Sequence, residues 1–220
     1  NAGSTTGIAS PACIKNSTAV GATKKDNSMV YNRNNITDLL APGFSITSLN
    51  YTGGIITFGG TSMATPMVAG AFALLHQYFK LTENRNATPT EIEDTLNDTG
   101  KQIDDTSGSG FFFSRINIFA AMASLDTTAP NIVITNPGNS TTKKNISFIV
   151  NITSDEVLNN ATLEINNTNF TMEGLGIEWS INISSLSDEN YTYKVYGNDS
   201  FGNKGTSETF SITIGNAIPT

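Results

Sequence analysis

The sequence predicts two domains of different class: an α/β fold with a parallel sheet and a buried central helix over residues 1–125, and an all-β antiparallel sandwich over residues 126–220. Three observations carry this. Gly-rich loops, short apolar stretches and two or three helical patterns alternate through the first part, as they do in α/β domains. From Asp126 onward the apolar stretches are short and alternating, and no helical period remains. Between the two parts, Leu125-Asp126-Thr127-Thr128-Ala129-Pro130 is a polar, Pro-ended stretch suited to a linker.

In the first part, residues 17–22 read as a short strand and residues 39–48 as extended chain around Ala41-Pro42-Gly43. Residues 63–79 carry small and apolar side chains on every side, the pattern of a helix buried all round. Thr88-Pro89-Thr90-Glu91 announces a second helix: Thr88 at the N-cap, Pro89 at the first helical position, Glu91 closing a capping box. Ile92 and Leu96 give it an apolar stripe, and Gly100 ends it. A third helix is expected over residues 116–124. In the second part, strands are expected at residues 131–135, 145–153, 162–165, 177–183, 191–196 and 208–214. Their alternation is cleanest in Ile146, Phe148, Val150, Ile152 and in Ile177, Trp179, Ile181, Ile183. Leu186 followed by Tyr191 and Tyr193 fits a tyrosine corner, while the absence of a Cys pair around Trp179 argues against an antibody-type domain. The aromatics Trp179, Tyr191 and Tyr193 read as core packing ahead of a glycan-binding platform.

Composition narrows the function. Of 220 residues only 14% are charged, against a usual ~25%, and Asn, Ser and Thr fill the gap. Net charge is −7, with no Lys/Arg cluster to grip a phosphate backbone, so nucleic acid is excluded as a partner. A single Cys13 excludes a disulfide framework, and a single His76 excludes a poly-His metal centre. The longest apolar run, residues 63–75, is short of the ~20 residues of a membrane helix. The chain opens Asn1-Ala2-Gly3 without Met, as expected of a piece of something longer.

The chemistry sits in Gly59-Gly60-Thr61-Ser62-Met63-Ala64-Thr65-Pro66, a glycine turn delivering a serine to the start of a helix. There the helix N-terminus supplies unpaired N–H groups and a positive dipole end near Ser62 Oγ. Small Ala64 leaves room, and Pro66 fits a first turn. A serine so placed can attack a carbonyl while its own N–H stabilises the oxyanion; read blandly, it only caps the helix.

The longer string, Gly60 through Pro66 followed by Val68-Ala69-Gly70, resembles the nucleophile motif of the subtilisin-like serine proteases, the subtilases of peptidase S8 type. Asn1-Ala2-Gly3, Ser10-Pro11-Ala12, Val20-Gly21-Ala22, Leu40-Ala41-Pro42-Gly43 and Arg115-Ile116-Asn117 with Ala120-Ala121 resemble further segments of that family, in its order. The resemblance spans residues 1–125 and implies the C-terminal part of a subtilisin-like catalytic domain, with Ser62 as nucleophile and the Asn1 amide as an oxyanion donor. It also implies an Asp and a His ahead of the serine in the chain, and neither motif is present. His76 follows Ser62 by 14 residues, too far to act as its base, and reads as a packing or surface histidine. Met67 stands where the family usually has a His outside the triad. The resemblance thus implies a serine endopeptidase working through an acyl-enzyme, with protein or peptide substrates and the upstream half of the same catalytic domain as partner. The isolated chain is expected to be inactive. No cofactor enters this chemistry; structural Ca²⁺ is common in the family, but no D-x-D-x-D-G loop is present, and Asp104, Asp105 and Asp126 read as solvated loop acids. Cys13 is either a buried free thiol or the partner of a cysteine in the missing half.

Residues 126–215 resemble Ig-like or fibronectin-III-like repeats of microbial surface proteins, on Asp126 to Pro130 and Asn198-Asp199-Ser200-Phe201-Gly202-Asn203. Fourteen Asn-x-Ser/Thr triplets, among them Asn16, Asn50, Asn86, Asn145, Asn151, Asn166, Asn182 and Asn198, make the chain a candidate glycoprotein, although its composition alone would yield about half of them. Acidity, polar surface and the resemblance to the subtilisin-like proteases point to an extracellular or cell-surface location. The competing readings are a catalytically dead subtilase-like module and an Ig-like adhesion or glycan-binding module.

Overall fold

The computed structural model describes residues 2–144 and 147–215, so Asn1, Asn145 and Ile146 lie outside the described residues. The chain divides into two compact units with the seam between Leu125 and Asp126.

The first unit runs β1 (Val20–Thr23), β2 (Leu39–Pro42), β3 (Ile46–Leu49), β4 (Ile55–Phe58), α1 (Thr61–Thr82), α2 (Pro89–Asp98), β5 (Lys101–Asp105), β6 (Phe111–Arg115) and α3 (Ile118–Leu125). Its sheet has the order β1-β2-β6-β5, with β1, β2 and β6 parallel and β5 joining antiparallel, so it is mixed at one edge where the sequence predicts parallel strands alone. β3 and β4 form a separate hairpin. Thr88 accepts from the Glu91 N–H, and the Glu91 carboxylate reaches back to the Thr88 N–H, closing the predicted capping box. Ile92 and Leu96 are buried, as their spacing requires.

α1 departs from its sequence reading. Only Ala64, Val68, Ala71, Leu75 and Phe79 are buried, a single stripe packed toward β1, β2 and α2. Leu74 is 48% and Leu81 75% exposed, and Gly70 and Ala73 are open as well. A helix that is apolar all round is a helix meant to be covered all round; the described residues cover one face. Pro66 also differs from expectation. The helix begins at Thr61, so Pro66 falls in the second turn, and the N–H it lacks is the one that would meet the Ser62 carbonyl.

The second unit runs β7 (Ile132–Asn136), β8 (Thr141–Lys143), β9 (Phe148–Ser154), β10 (Leu158–Ile165), β11 (Thr168–Thr171), β12 (Glu173–Leu175), β13 (Glu178–Ile183), β14 (Asn190–Asp199), β15 (Lys204–Thr206) and β16 (Phe210–Ile214). One sheet has the order β11-β10-β14-β16-β8 with β15 on β14, the other β12-β13-β9-β7. All pairs are antiparallel except β16 with β8. Inward residues of both sheets share one core, with Ile134, Val150 and Ile152 from one and Leu163, Tyr193, Val195 and Ile212 from the other. Tyr193 is 1% exposed, its hydroxyl donates to the Pro137 carbonyl at 3.1 Å, and burial pushes its phenol up to about 12. The tyrosine corner forms as the sequence indicates: the Tyr191 hydroxyl accepts from the Ser187 N–H at 3.1 Å and lies 3.3 Å from the Ser187 carbonyl. Trp179 packs against the core while half-buried, and its Nε1 donates to the Gly176 carbonyl at 3.2 Å.

Candidate active site

Ser62 is positioned by a backbone relay from the sheet. After β2, the Gly43 carbonyl accepts from the Gly60 N–H at 2.7 Å. Gly60 holds φ 149° and ψ 169°, a conformation open essentially to glycine alone. It is the N-cap of α1, so Ser62 is the second helical residue and not the capping one. The Met63 N–H returns to the Gly60 carbonyl at 3.1 Å, and Thr65 Oγ1 donates to the Thr61 carbonyl at 2.9 Å, bracing the first turn. No side chain caps the helix and no acid lies in its first turn, so its positive end is not neutralised locally beside Ser62. Ser62 is exposed, and its hydroxyl hydrogen-bonds to none of the described residues.

Two cavities meet at this serine. One, of ≈ 380 Å³, is lined by residues 8–12 with Ser17, Thr18, Val20 and Asn32 on one side, and Thr61, Ser62 and Thr65 on the other. The second, of ≈ 410 Å³, lies between Ser62, Met63, Pro66 and Met67 of α1 and Ile46, Ser48, Leu49, Ile56 and Phe58 of the hairpin. Ser62 thus has a recess on either side, each lined by a mixture of polar and apolar groups with the apolar ones in excess.

The segment that walls the first cavity is held indirectly. The Ser4 N–H donates to Asn32 Oδ1 at 3.2 Å, and the Arg33 N–H to the Ser4 carbonyl at 2.9 Å. Arg33 in turn grips Asp105 with Nε to Oδ2 at 2.7 Å and Nη2 to Oδ1 at 2.8 Å. The two side chains are 9% and 12% exposed. Asp105 is therefore not the solvated acid its sequence context suggests: the Arg33 guanidinium, helped by Ser109, holds its carboxyl below the usual carboxylate range. Asp104 is exposed and accepts from the Thr106 N–H and hydroxyl, which lower it too.

The base required by the serine is not among the described residues. His76 is half-buried on the same helix, about 21 Å along the axis from Ser62 at ~1.5 Å per residue. Asn1 lies outside the described residues. Cys13 is exposed, which contradicts the buried-thiol reading. Asp126 also departs from the solvated-loop reading. It is half-buried in the second unit, where its carboxylate, Glu156 and Asp199 have oxygens within 4.8 Å of one another. Burial pushes Glu156 up, and Asp126, Asp199 and Asp155 add to it. Burial raises Asp199 as well, but the Asn203 side chain and the N–H groups of residues 201–203 outweigh it and hold Asp199 low. Asp126, Glu156 and Asp199, the last at the end of β14, converge only through the fold of the sandwich, so sequence spacing gives no sign of them. Of the cavity walls, Ser10-Pro11-Ala12, Val20 and Thr65 lie in segments that the sequence marks; Asn32 does not.

Ser62 is thus exposed at the second position of a helix that is entered through Gly43 and Gly60 from a mixed sheet whose β1, β2 and β6 run parallel. Residues 1–116 match the subtilase family of S8 peptidases, and the chain belongs to that family. It is 44% identical over 84 residues to an intracellular serine protease of Paenibacillus polymyxa, covering 37% of this chain and 26% of that protein. It is 34% identical over 125 residues to subtilisin of Bacillus pumilus, covering 55% of this chain and 42% of that one. The solved structure of the prenylagaramide maturation protease PagA matches with 26% identity and a TM-score of 0.45, over 53% of this chain and 45% of that chain. The chain therefore spans less than half the length of these relatives. Among the described residues, no helix is long and apolar enough to cross a membrane.

Proposed function

We propose that this chain is the C-terminal part of the catalytic domain of a subtilisin-like serine endopeptidase, joined to an Ig-like β-sandwich. In the complete enzyme Ser62 attacks the scissile carbonyl, a His from the upstream half of the domain takes the Ser62 proton, and an upstream Asp orients that His. The Ser62 N–H and the Asn1 side-chain amide receive the oxyanion. The same His returns the proton to the leaving amine, and water then releases the acyl group. The observation that carries the reading is the placement of Ser62: exposed at an unneutralised helix N-terminus, between two cavities, with no base in reach. The open face of α1, from Gly70 through Leu74 to Leu81, supports an upstream half packed over that helix. An exported location rests on the acidity, the polar surface and the protease likeness, although one relative is named an intracellular protease.

The test is fluorophosphonate labelling, because an unassisted serine is a weak nucleophile at neutral pH. The intact gene product should label at Ser62 and lose both label and proteolysis in Ser62→Ala. The 220-residue chain alone should neither label nor hydrolyse peptides above background. Sustained turnover by the isolated chain, lost in Ser62→Ala, would refute the missing-base reading. An intact protein that stays unlabelled would make it a pseudoprotease.

A further inference from the structure

The Asn-x-Ser/Thr triplets are unused by the proposed chemistry, and the fold separates two causes for them. The chain has 26 Asn, and Ser and Thr fill 51 of its 220 positions, so random order would give about six triplets where 14 are found. In the sandwich the excess has a bland cause. A strand alternates with period two, so Asn and the hydroxyl residue two positions on share the outward face, as do Asn160 with Thr162 and Asn190 with Thr192.

That cause fails in the first unit. Residues 1–125 hold 11 Asn and five triplets, about twice the number that random order gives, and none begins in a strand. Asn16 and Asn35 sit in turns, Asn50 at the hairpin tip, Asn86 in the loop between α1 and α2, and Asn97 at the end of α2. Asn16, Asn35 and Asn86 are exposed, lie outside helix and strand, and spend neither side-chain oxygen nor nitrogen on a hydrogen bond among the described residues. Asn50 differs, its Nδ2 donating to Thr52 Oγ1 at 2.9 Å. Exposed loops with an unengaged amide are where a transferase finds an acceptor.

We propose that Asn16, Asn35 and Asn86 are N-glycosylation sites, modified by transfer from a lipid-pyrophosphate-linked oligosaccharide. The Asn Nδ2 bonds to the sugar C1, the C1–O bond to phosphate breaks, the lipid pyrophosphate leaves with the electron pair, and the amide gives up one proton. The assignment is independent of the protease reading. Asn16 precedes Ser17 and Thr18, which line the cavity at Ser62, so its sugar stands beside the mouth of that cavity.

The test is peptide mapping by mass spectrometry of the protein purified from its native cells. Peptides containing Asn16, Asn35 and Asn86 should carry added mass in whole sugar increments, fragmenting to place it on the Asn. Asn16→Gln and Thr18→Ala should each remove it from the first peptide, while Thr18→Ser keeps it. All three peptides at the mass of the bare sequence would overturn the proposal. So would sugar confined to the strand triplets of the sandwich, or sugar at Asn16 that survives Thr18→Ala.

Discussion

Replacing Asp105 by Asn should unfold the first unit selectively, and the size of the effect follows from what Asp105 holds. Its carboxylate takes two hydrogen bonds from an Arg33 side chain that is 9% exposed, and its backbone carbonyl accepts the N–H groups of residues 108–110. The variant keeps the backbone contacts but leaves a guanidinium buried without its counter-charge, which costs about 3–5 kcal/mol. With a urea slope of ~2 kcal/mol per M, the midpoint should fall by about 2 M. The chain supplies its own control. Among the described residues all three helices lie within residues 61–125 and the single Trp179 lies beyond them, so far-UV circular dichroism follows one unit and Trp fluorescence the other. The first transition should move and the second should not. The pH dependence has a fixed sign. A carboxyl held below its unfolded value contributes stability that is full above that value, about 3.9, and is lost as pH falls through the folded value. The gap between wild type and Asp105→Asn should therefore be widest at neutral pH and close below about 4. The double replacement Arg33→Met with Asp105→Leu, which removes both charges, should recover most of the loss. A change under about 1 kcal/mol at pH 7, or a gap that does not narrow in acid, would refute the buried-pair argument.

Two further outcomes are expected. In Gly43→Ala the new Cβ would lie 2.7 Å from the Gly60 carbonyl oxygen and 2.6 Å from the Ala22 Cβ, so the first unit should lose about 1–3 kcal/mol from overpacking; an unchanged dichroism midpoint would contradict the relay that sets Ser62. In Glu156→Gln the sandwich should gain stability at pH 7, because a carboxyl raised by burial and three neighbouring acids is destabilising once ionised, and the gain should vanish as pH falls below the raised value and Glu156 protonates; equal Trp179 unfolding midpoints for both proteins at pH 7 would contradict the clustering.

What the sequence discloses here is what neighbours along the chain decide. Thr88-Pro89-Thr90-Glu91 is a complete local device, and the helix starts where it says. Phe148, Val150 and Ile152 point inward because a strand alternates, while Ile149 between them is 50% exposed. Strands of three or four residues, such as β8, β11, β12 and β15, are too short to show a period and were not foreseen. The β5–β6 hairpin is hidden for another reason: Phe111, Phe112 and Phe113 are consecutive, yet only Phe113 is buried. Arg33 and Asp105 stand 72 residues apart, and no spacing rule joins them.

The helix that presents Ser62 carries the argument furthest. Its buried stripe, Ala64 to Phe79, packs the helix onto this chain, and the Gly43–Gly60 relay sets Ser62 at its start. Its other side carries small and apolar residues too, Ala69, Gly70, Ala73 and Leu74 among them, but is open, and apolar area left in water is a cost of roughly 25 cal/mol per Å² that covering would remove. The sequence pattern asks for cover on the side that the described residues leave bare. On the proposed reading the cover and the missing base are one object, since the upstream half that packs over Gly70 and Leu74 also brings the His toward Ser62. Adding that half in trans should then shield α1 and restore labelling of Ser62 together, and neither without the other.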